Sequence, residues 1–166
     1  MKRLILVRHA KTEQMSSSGS DFDRKLTVRG HSDAKLVADK LVKKGFQPAL
    51  IISSPAVRAM ETARIMATTF SLDVNEVTVA PFIYDGNTTA GFLNEVANLS
   101  KNHDSVMVVG HNPDMATLSM KLTNENFYNF PTASVTIIAF EIDDWIDMQV
   151  GKGKLEYYVS PKMIKA

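Results

Sequence analysis

The sequence contains no cysteine and carries almost no net charge, and both absences limit what the protein can do. Without cysteine there is no thiol nucleophile, no disulfide framework and no thiolate metal site, and the composition fits a reducing compartment. A formal net charge of +1 over 166 residues provides no general field to attract nucleic acid or an anionic membrane. Any chemistry on anions must therefore come from local groups.

Long hydrophobic runs are also absent. The apolar run at 4–7 in "MKRLILV" is shorter than the roughly 7–15 residues of a signal-peptide core. No segment approaches the roughly 20 apolar residues that a membrane-spanning helix needs. We therefore expect a cytoplasmic protein that binds neither membranes nor nucleic acid.

Short apolar runs alternate along the chain with segments of helical period. This pattern predicts strands at 3–7, 49–53, 76–80, 105–110, 134–142 and 154–160, and helices at 29–45, 54–70, 89–101 and 112–122. Ser54 is expected to cap the second helix, with Pro55 at its first position. The alternation favours one α/β domain over 1–166, a three-layer sandwich whose central sheet is mostly parallel, with its last strands antiparallel.

The polar, serine-rich segment 12–28 interrupts this alternation. It is either a flexible tip or a loop that covers a functional site.

Three predicted strands lead into arginine or histidine residues, whose side chains can bind anions. The first delivers Arg8 and His9, the second leads into a helix that carries Arg58, and the strand at 105–110 is followed by His111. The carboxyl ends of parallel strands meet at one edge of a sheet, where open α/β folds bind their ligands. Two arginines, two histidines and two helix N-termini at that edge describe a pocket for a small, multiply charged anion, and phosphate fits best.

Other interpretations of these residues are open. A single histidine after a strand can be an ordinary surface group, and we assign His31 and His103 to the surface. A histidine metal site is the other alternative, but the chain has no HxxxH or carboxylate spacing for one, and flanking arginines would repel a cation. We expect no metal and no cofactor.

Five sequence blocks carry a resemblance to a known family: "LVRHAKT", "LTVRG", "SSPAVRAMETA", "VGHNPDM" and "PTASV". In order and spacing they resemble the histidine phosphatase superfamily, and most of all its short SixA-like branch of phosphohistidine phosphatases. The resemblance covers nearly the whole chain and implies a phosphoglycerate mutase-like fold. One departure is Ala10, which stands where the common form of the first block has glycine.

The resemblance implies roles for the residues at the three strand ends. His9 would be the nucleophile that accepts the phosphoryl group, and Arg8, Arg58 and His111 would hold the non-bridging oxygens. Water would then hydrolyse the phosphohistidine intermediate. Two further phosphate contacts are Thr12 and Asn112, although a turn residue and a helix cap are equally good interpretations.

The general acid is where this chain departs most from larger family members. The block in which they carry a glutamate here is "PFIYDGNTT", which offers Asp85 as a possible general acid. Glu13, Asp21 and Asp23 in segment 12–28 are other candidates. A missing acid handicaps ester hydrolysis, because an alkoxide leaving group needs a proton, whereas the imidazole that leaves phosphohistidine is less demanding. The short chain also has little sequence for a lid, which suits a bulky protein substrate.

Three functions follow from these features. The preferred hypothesis is a phosphohistidine phosphatase that acts on signalling phosphotransfer domains, working as a monomer. The second is a small-molecule phosphomonoesterase with the same nucleophile. The third is a non-catalytic phosphate-binding module, against which the intact nucleophile argues.

Overall fold

The computed structural model describes residues 1–166 and contains one six-stranded sheet. Its strands are β1 (Lys2–Arg8), β2 (Leu50–Ser53), β3 (Thr78–Val79), β4 (Ser105–Gly110), β5 (Val135–Phe140) and β6 (Lys154–Val159). The order across the sheet is β3-β2-β4-β1-β5-β6. The first four strands run parallel, while β5 and β6 pair in antiparallel fashion, as predicted.

Helices cover both faces of the sheet. They are α1 (Val28–Lys43), α2 (Val57–Thr69), α3 (Pro81–Asp85), α4 (Thr89–Ser100), α5 (Asp114–Thr123) and α6 (Pro161–Lys165). None of them is long and apolar enough to cross a membrane.

Alternation of side chains along β1 divides the core between the two faces. Ile5 and Val7 pack on one side with the apolar faces of α1 and α2. Leu4 and Leu6 pack on the other side with residues of α3, α4 and α5. The predicted three-layer sandwich with a mostly parallel sheet is confirmed.

Two predicted helix starts are wrong. The second helix begins at Val57 rather than residue 54, because Ser54 Oγ accepts a hydrogen bond from the Ala56 N–H and closes a separate turn before the helix. The fourth predicted helix begins at Asp114, so that Pro113 lies at its cap. The sequence pattern also missed α3 and α6, which are too short to show a helical period.

Candidate active site

The end of β1 is held on both sides, and this fixes Arg8 and His9. The backbone N–H of Arg8 donates to the Ser134 carbonyl at 3.0 Å, and that of His9 donates to the Gly110 carbonyl at 3.0 Å. Because one acceptor ends β4 and the other precedes β5, the two side chains emerge at a defined place on the sheet edge.

His9 is prepared as a neutral base. Its side chain is buried, and its Nδ1 lies 2.9 Å from the Ala10 carbonyl oxygen. A carbonyl only accepts, so Nδ1 carries the proton and Nε2 keeps a free lone pair. Burial lowers the pKa of His9 to about 3, with further contributions from the charges of His111, Arg58 and Arg8. The ring is therefore uncharged at neutral pH, and an uncharged imidazole has the lone pair that a nucleophile needs.

Two arginines with free N–H donors lie beside this ring. Arg58, on the first turn of α2, is buried, and Arg8 is half-buried. The Nη1 of Arg8 donates to the Phe130 carbonyl at 2.9 Å. The Nε atoms of both arginines are buried and make no hydrogen bond within the protein. Each guanidinium thus retains N–H groups that are able to donate to the oxygens of an anion.

His111, which follows β4, faces the same space. Its ring centroid lies 5.2 Å from that of His9, and its Nε2 lies 2.7 Å from Ser54 Oγ. Its Nδ1 is buried without a partner in the protein. Burial lowers the pKa of His111 to about 4, and the nearby charge of Arg58 adds to the effect.

These side chains line a cavity of about 340 Å³ whose walls contain no hydrophobic residue. The lining consists of Arg8, His9, Lys11, Thr12, Gln14, Arg24, Arg58, His111, Asn112 and Thr132. It brings together Arg8, His9, Arg58, His111, Thr12 and Asn112, which the sequence analysis singled out. No carboxyl group lies in this wall, so its charge is positive.

Comparison with known proteins assigns the family. The model of the histidine phosphatase superfamily (branch 1) matches residues 4–78. A chloroplast protein of Arabidopsis thaliana, itself uncharacterised, is 30% identical over 172 residues, which cover 96% of this chain and 78% of that protein. The chain belongs to the histidine phosphatase superfamily.

Solved structures agree with this assignment. The protein histidine phosphatase SixA complexed with tungstate matches with a TM-score of 0.82 at 22% identity, covering 98% of this chain and 99% of SixA. A SixA structure from Agrobacterium tumefaciens matches with a TM-score of 0.77 at 26% identity, covering 96% of this chain and 98% of the other. The expected superfamily and the phosphoglycerate mutase-like fold are confirmed, and this histidine phosphatase is a hydrolase.

Thr12 and Asn112 differ in how many hydrogen bonds their side chains make within the protein. In this histidine phosphatase Thr12 Oγ1 accepts a hydrogen bond from Arg24 Nη1 at 3.2 Å. Asn112 donates from Nδ2 to the Phe130 carbonyl at 3.0 Å, and its Oδ1 accepts from the Ala116 N–H at 3.3 Å. Asn112 lies one residue before the cap of α5, and its Oδ1 satisfies a backbone N–H in the first turn of that helix, as a capping side chain does.

The structure does not support Asp85 as the general acid. Asp85 is the exposed last residue of α3 and is not among the residues that line the cavity. The preceding residue faces the site instead: the Tyr84 ring centroid lies 5.7 Å from that of His111. Since successive helical residues point about 100° apart, a helix that turns Tyr84 inward turns Asp85 toward solvent.

The sequence analysis missed Arg24 in the cavity wall and the contact between Asp21 and Arg58. Arg58 donates from Nη1 to the Asp21 carbonyl oxygen at 2.8 Å and from Nη2 to its Oδ2 at 3.0 Å. Segment 12–28 therefore forms one wall of the site rather than a free tip. The only signal in the sequence was the charged cluster "DFDR" within an otherwise polar loop.

Proposed function

We propose that this chain is a single catalytic domain over 1–166 that removes the phosphoryl group from a protein phosphohistidine through a covalent phospho-His9 intermediate. The observation that carries the proposal is a neutral nucleophile without a proton donor for the leaving group. No carboxyl group lines the cavity, and that of Asp21, which contacts Arg58 in the cavity wall, accepts hydrogen bonds from Arg58 and Tyr84.

The protonation state of Asp21 determines whether the site can protonate a leaving group. Burial alone would raise the pKa of its carboxyl group, but the hydrogen bonds from Tyr84 and Arg58 outweigh burial and lower it. Asp21 is therefore ionised at neutral pH and has no proton to give to an alkoxide. An imidazole that leaves phosphohistidine can be protonated on its other nitrogen before the P–N bond breaks, so it departs neutral without a donor in the site.

The first step of the reaction follows from the positions of the side chains. Arg8, Arg58 and the free Nδ1 of His111 hold the phosphoryl oxygens and offset the negative charge that spreads over them. Nε2 of His9 attacks phosphorus in line, and the P–N bond of the substrate breaks with its electron pair going to the leaving nitrogen.

The second step restores the enzyme. The ring of phospho-His9 carries positive charge, which the Ala10 carbonyl stabilises through Nδ1–H. Water attacks phosphorus, the electron pair of the P–Nε2 bond returns to His9, and inorganic phosphate leaves with the remaining proton passing to solvent.

Likeness to SixA, which is named as a protein histidine phosphatase, supports the same substrate class. A small-molecule phosphomonoesterase remains the second candidate, because Thr12, Gln14 and Arg24 of segment 12–28 wall the cavity. Because this wall borders the cavity, the shortness of the chain is no longer a reason to prefer a bulky protein substrate. A non-catalytic phosphate-binding module has no use for a neutral His9 with a free lone pair.

The test compares substrates and traps the intermediate. We expect a higher kcat/KM for a phosphorylated histidine phosphotransfer domain than for p-nitrophenyl phosphate, and mass spectrometry after an alkaline quench should place the phosphoryl group on His9. His9→Ala should abolish both signals, while His31→Ala, at an exposed histidine, should retain them. A preference for the ester would establish the phosphomonoesterase, and phosphate binding without turnover would establish the binding module.

A further inference from the structure

The buried guanidinium of Arg58 is held by a residue distant in sequence. Asp21 lies 37 residues before it, yet it accepts from Nη1 through its backbone carbonyl and from Nη2 through its carboxylate. The Arg58 side chain is 7% exposed, whereas that of Asp21 is 55% exposed. The exposed Asp21 carboxylate therefore pairs with an arginine side chain that is otherwise buried.

Asp21 is itself fixed from two further directions. Its Oδ1 accepts from Arg24 Nε at 3.1 Å, and its Oδ2 accepts from the Tyr84 hydroxyl at 3.0 Å. The ring of Phe22, the next residue, meets Tyr84 edge-on with centroids 5.2 Å apart. One carboxylate thus joins segment 12–28, α2 and α3 around the cavity.

Asp21 uses only some of the hydrogen-bond donors of the Arg58 guanidinium. A guanidinium has five N–H groups, and Asp21 accepts two of them. The Nε–H makes no hydrogen bond within the protein, and each Nη keeps a second hydrogen. Arg58 can therefore bind Asp21 and a phosphoryl oxygen at the same time.

We propose that Asp21 is a positioning residue, which fixes the guanidinium of Arg58 for the phosphoryl oxygens and is itself held by Tyr84. Without this contact the long side chain would sample other rotamers, and the transition state would have to order it. The inference rests on the proposed role of Arg58 in binding the phosphoryl group, but not on phosphohistidine being the substrate.

The test uses Asp21→Asn with a matched control in the same turn. Asp23 lies two residues later, and its carboxylate accepts only from Ser18 Oγ, at 2.7 Å, so Asp23→Asn makes the same chemical change away from Arg58. We expect Asp21→Asn to lower kcat for p-nitrophenyl phosphate by roughly 10- to 100-fold and to weaken inhibition by inorganic phosphate by about tenfold. Asp23→Asn should leave both values within about twofold of the original.

A double-mutant cycle separates positioning of Arg58 from a general loss of structure. In an Arg58→Ala background, Asp21→Asn should cause no further loss of phosphate affinity. Tyr84→Phe removes one hydrogen bond to Asp21 and should give a smaller loss of the same kind; it also keeps the test available if Asp21→Asn does not fold.

The outcomes are distinct. An unchanged or tighter phosphate affinity in Asp21→Asn would overturn the inference, and so would an equal loss with and without Arg58. If Arg58→Ala itself left phosphate binding intact, the proposed phosphoryl site would fall instead.

Discussion

At the scale of single residues, the site keeps two imidazoles uncharged beside two guanidinium groups. Burial lowers the pKa of His9 to about 3 and that of His111 to about 4, and positive neighbours oppose protonation of either ring. The same environment that keeps His9 uncharged therefore makes the folded protein sensitive to acid.

The sign of this sensitivity follows from proton linkage. An unfolded histidine titrates near pH 6.5, so between that pH and the lowered folded values the unfolded chain binds more protons than the folded protein. The free energy of unfolding should have its full value above about pH 6.5. It should fall as the pH drops toward 4, by up to about 1.4 kcal/mol per pH unit for each ring. We expect urea unfolding at pH 7, 5.5 and 4.5 to show this loss.

The His9→Ala variant provides the control for that measurement. It lacks one of the two depressed groups, so its free energy of unfolding should change less between pH 7 and 4.5 than that of the original protein. Equal pH dependence in the two proteins would contradict the assignment of a neutral, buried His9.

Thr62 links the segment after β1 to the helix that carries Arg58. Its hydroxyl oxygen accepts from the Ala10 N–H at 3.1 Å, and the hydroxyl donates to the Arg58 carbonyl at 2.8 Å. Thr62→Val should leave a buried N–H unsatisfied, costing about 1–3 kcal/mol of unfolding free energy and lowering kcat. Thr69→Val, in the same helix, removes a hydroxyl that only donates to Ile65, and both quantities should change little.

The residues that could be predicted are those that depend on chain order. Arg8 ends β1, and His9 and His111 directly follow β1 and β4, so a parallel sheet brings all three to the same edge. The contact of Asp21 with Arg58 could not be predicted, because it joins two distant segments and leaves no periodic pattern in the sequence. Asp85 is a candidate acid by its place in a sequence block, but it lies exposed at the end of α3 and does not line the cavity.

At the scale of secondary structure elements, α1 lies so close to the segment after His9 that its first turn needs a glycine. A Cβ on Gly30 would lie 2.1 Å from the Lys11 carbonyl oxygen, a backbone atom. The hydroxyl oxygen of Thr27, the N-cap of α1, accepts from the Gly30 N–H at 3.0 Å. The backbone N–H of Thr27 donates to the Lys11 carbonyl. This packing gives a physical reason for the glycine of the "LTVRG" block.

Gly91 offers a matched comparison, since it occupies the same position in α4 after the N-cap Thr88. The three atoms nearest to a Cβ there all belong to the side chain of Asn87, which is exposed and can move. Gly30→Ala should therefore lower the melting temperature and kcat, although alanine is ordinarily the better helix former by about 1 kcal/mol. Gly91→Ala should be tolerated, and equal effects of the two substitutions would contradict this account.

Element boundaries were predicted well where periodicity was strong and poorly where a turn intervened. The predicted strand at 105–110 is confirmed, because a short apolar run is typical of a strand that is buried on both faces. The start of α2 was misplaced because Ser-Pro looks like a cap, whereas Ser54 uses its hydroxyl for a turn and for His111.

At the scale of the whole molecule, the sheet order places β1 at the centre between β4 and β5. Alternating strands and helices predict a parallel sheet but not which strands are neighbours, because crossover connections allow several orders. The antiparallel β5 continues the sheet beside β1, and the turn before it brings Thr132 into the cavity wall.

The last helix is attached to this framework by an ion pair on the α1 side of the sheet. The carboxylate of Asp33 is 2% exposed; Lys165 Nζ lies 2.6 Å from its Oδ1 and Arg29 Nε lies 3.5 Å from its Oδ2. Beside Lys165, Ile164 packs on the core under α1. A buried carboxylate needs its cation, because removing one partner leaves an uncompensated charge.

Lys165→Met should therefore destabilise the protein by about 1–3 kcal/mol, less than a fully buried pair because Lys165 is half exposed. Lys162→Met, on the same helix but without an ion pair, should have little effect on chemical denaturation. Adding Asp33→Asn to Lys165→Met should recover part of the loss, since it removes a buried charge that only the more distant Arg29 still offsets. If the double variant were less stable than Lys165→Met alone, the pair would not be what holds α6, and its docking would have to rest on Ile164 and its apolar neighbours.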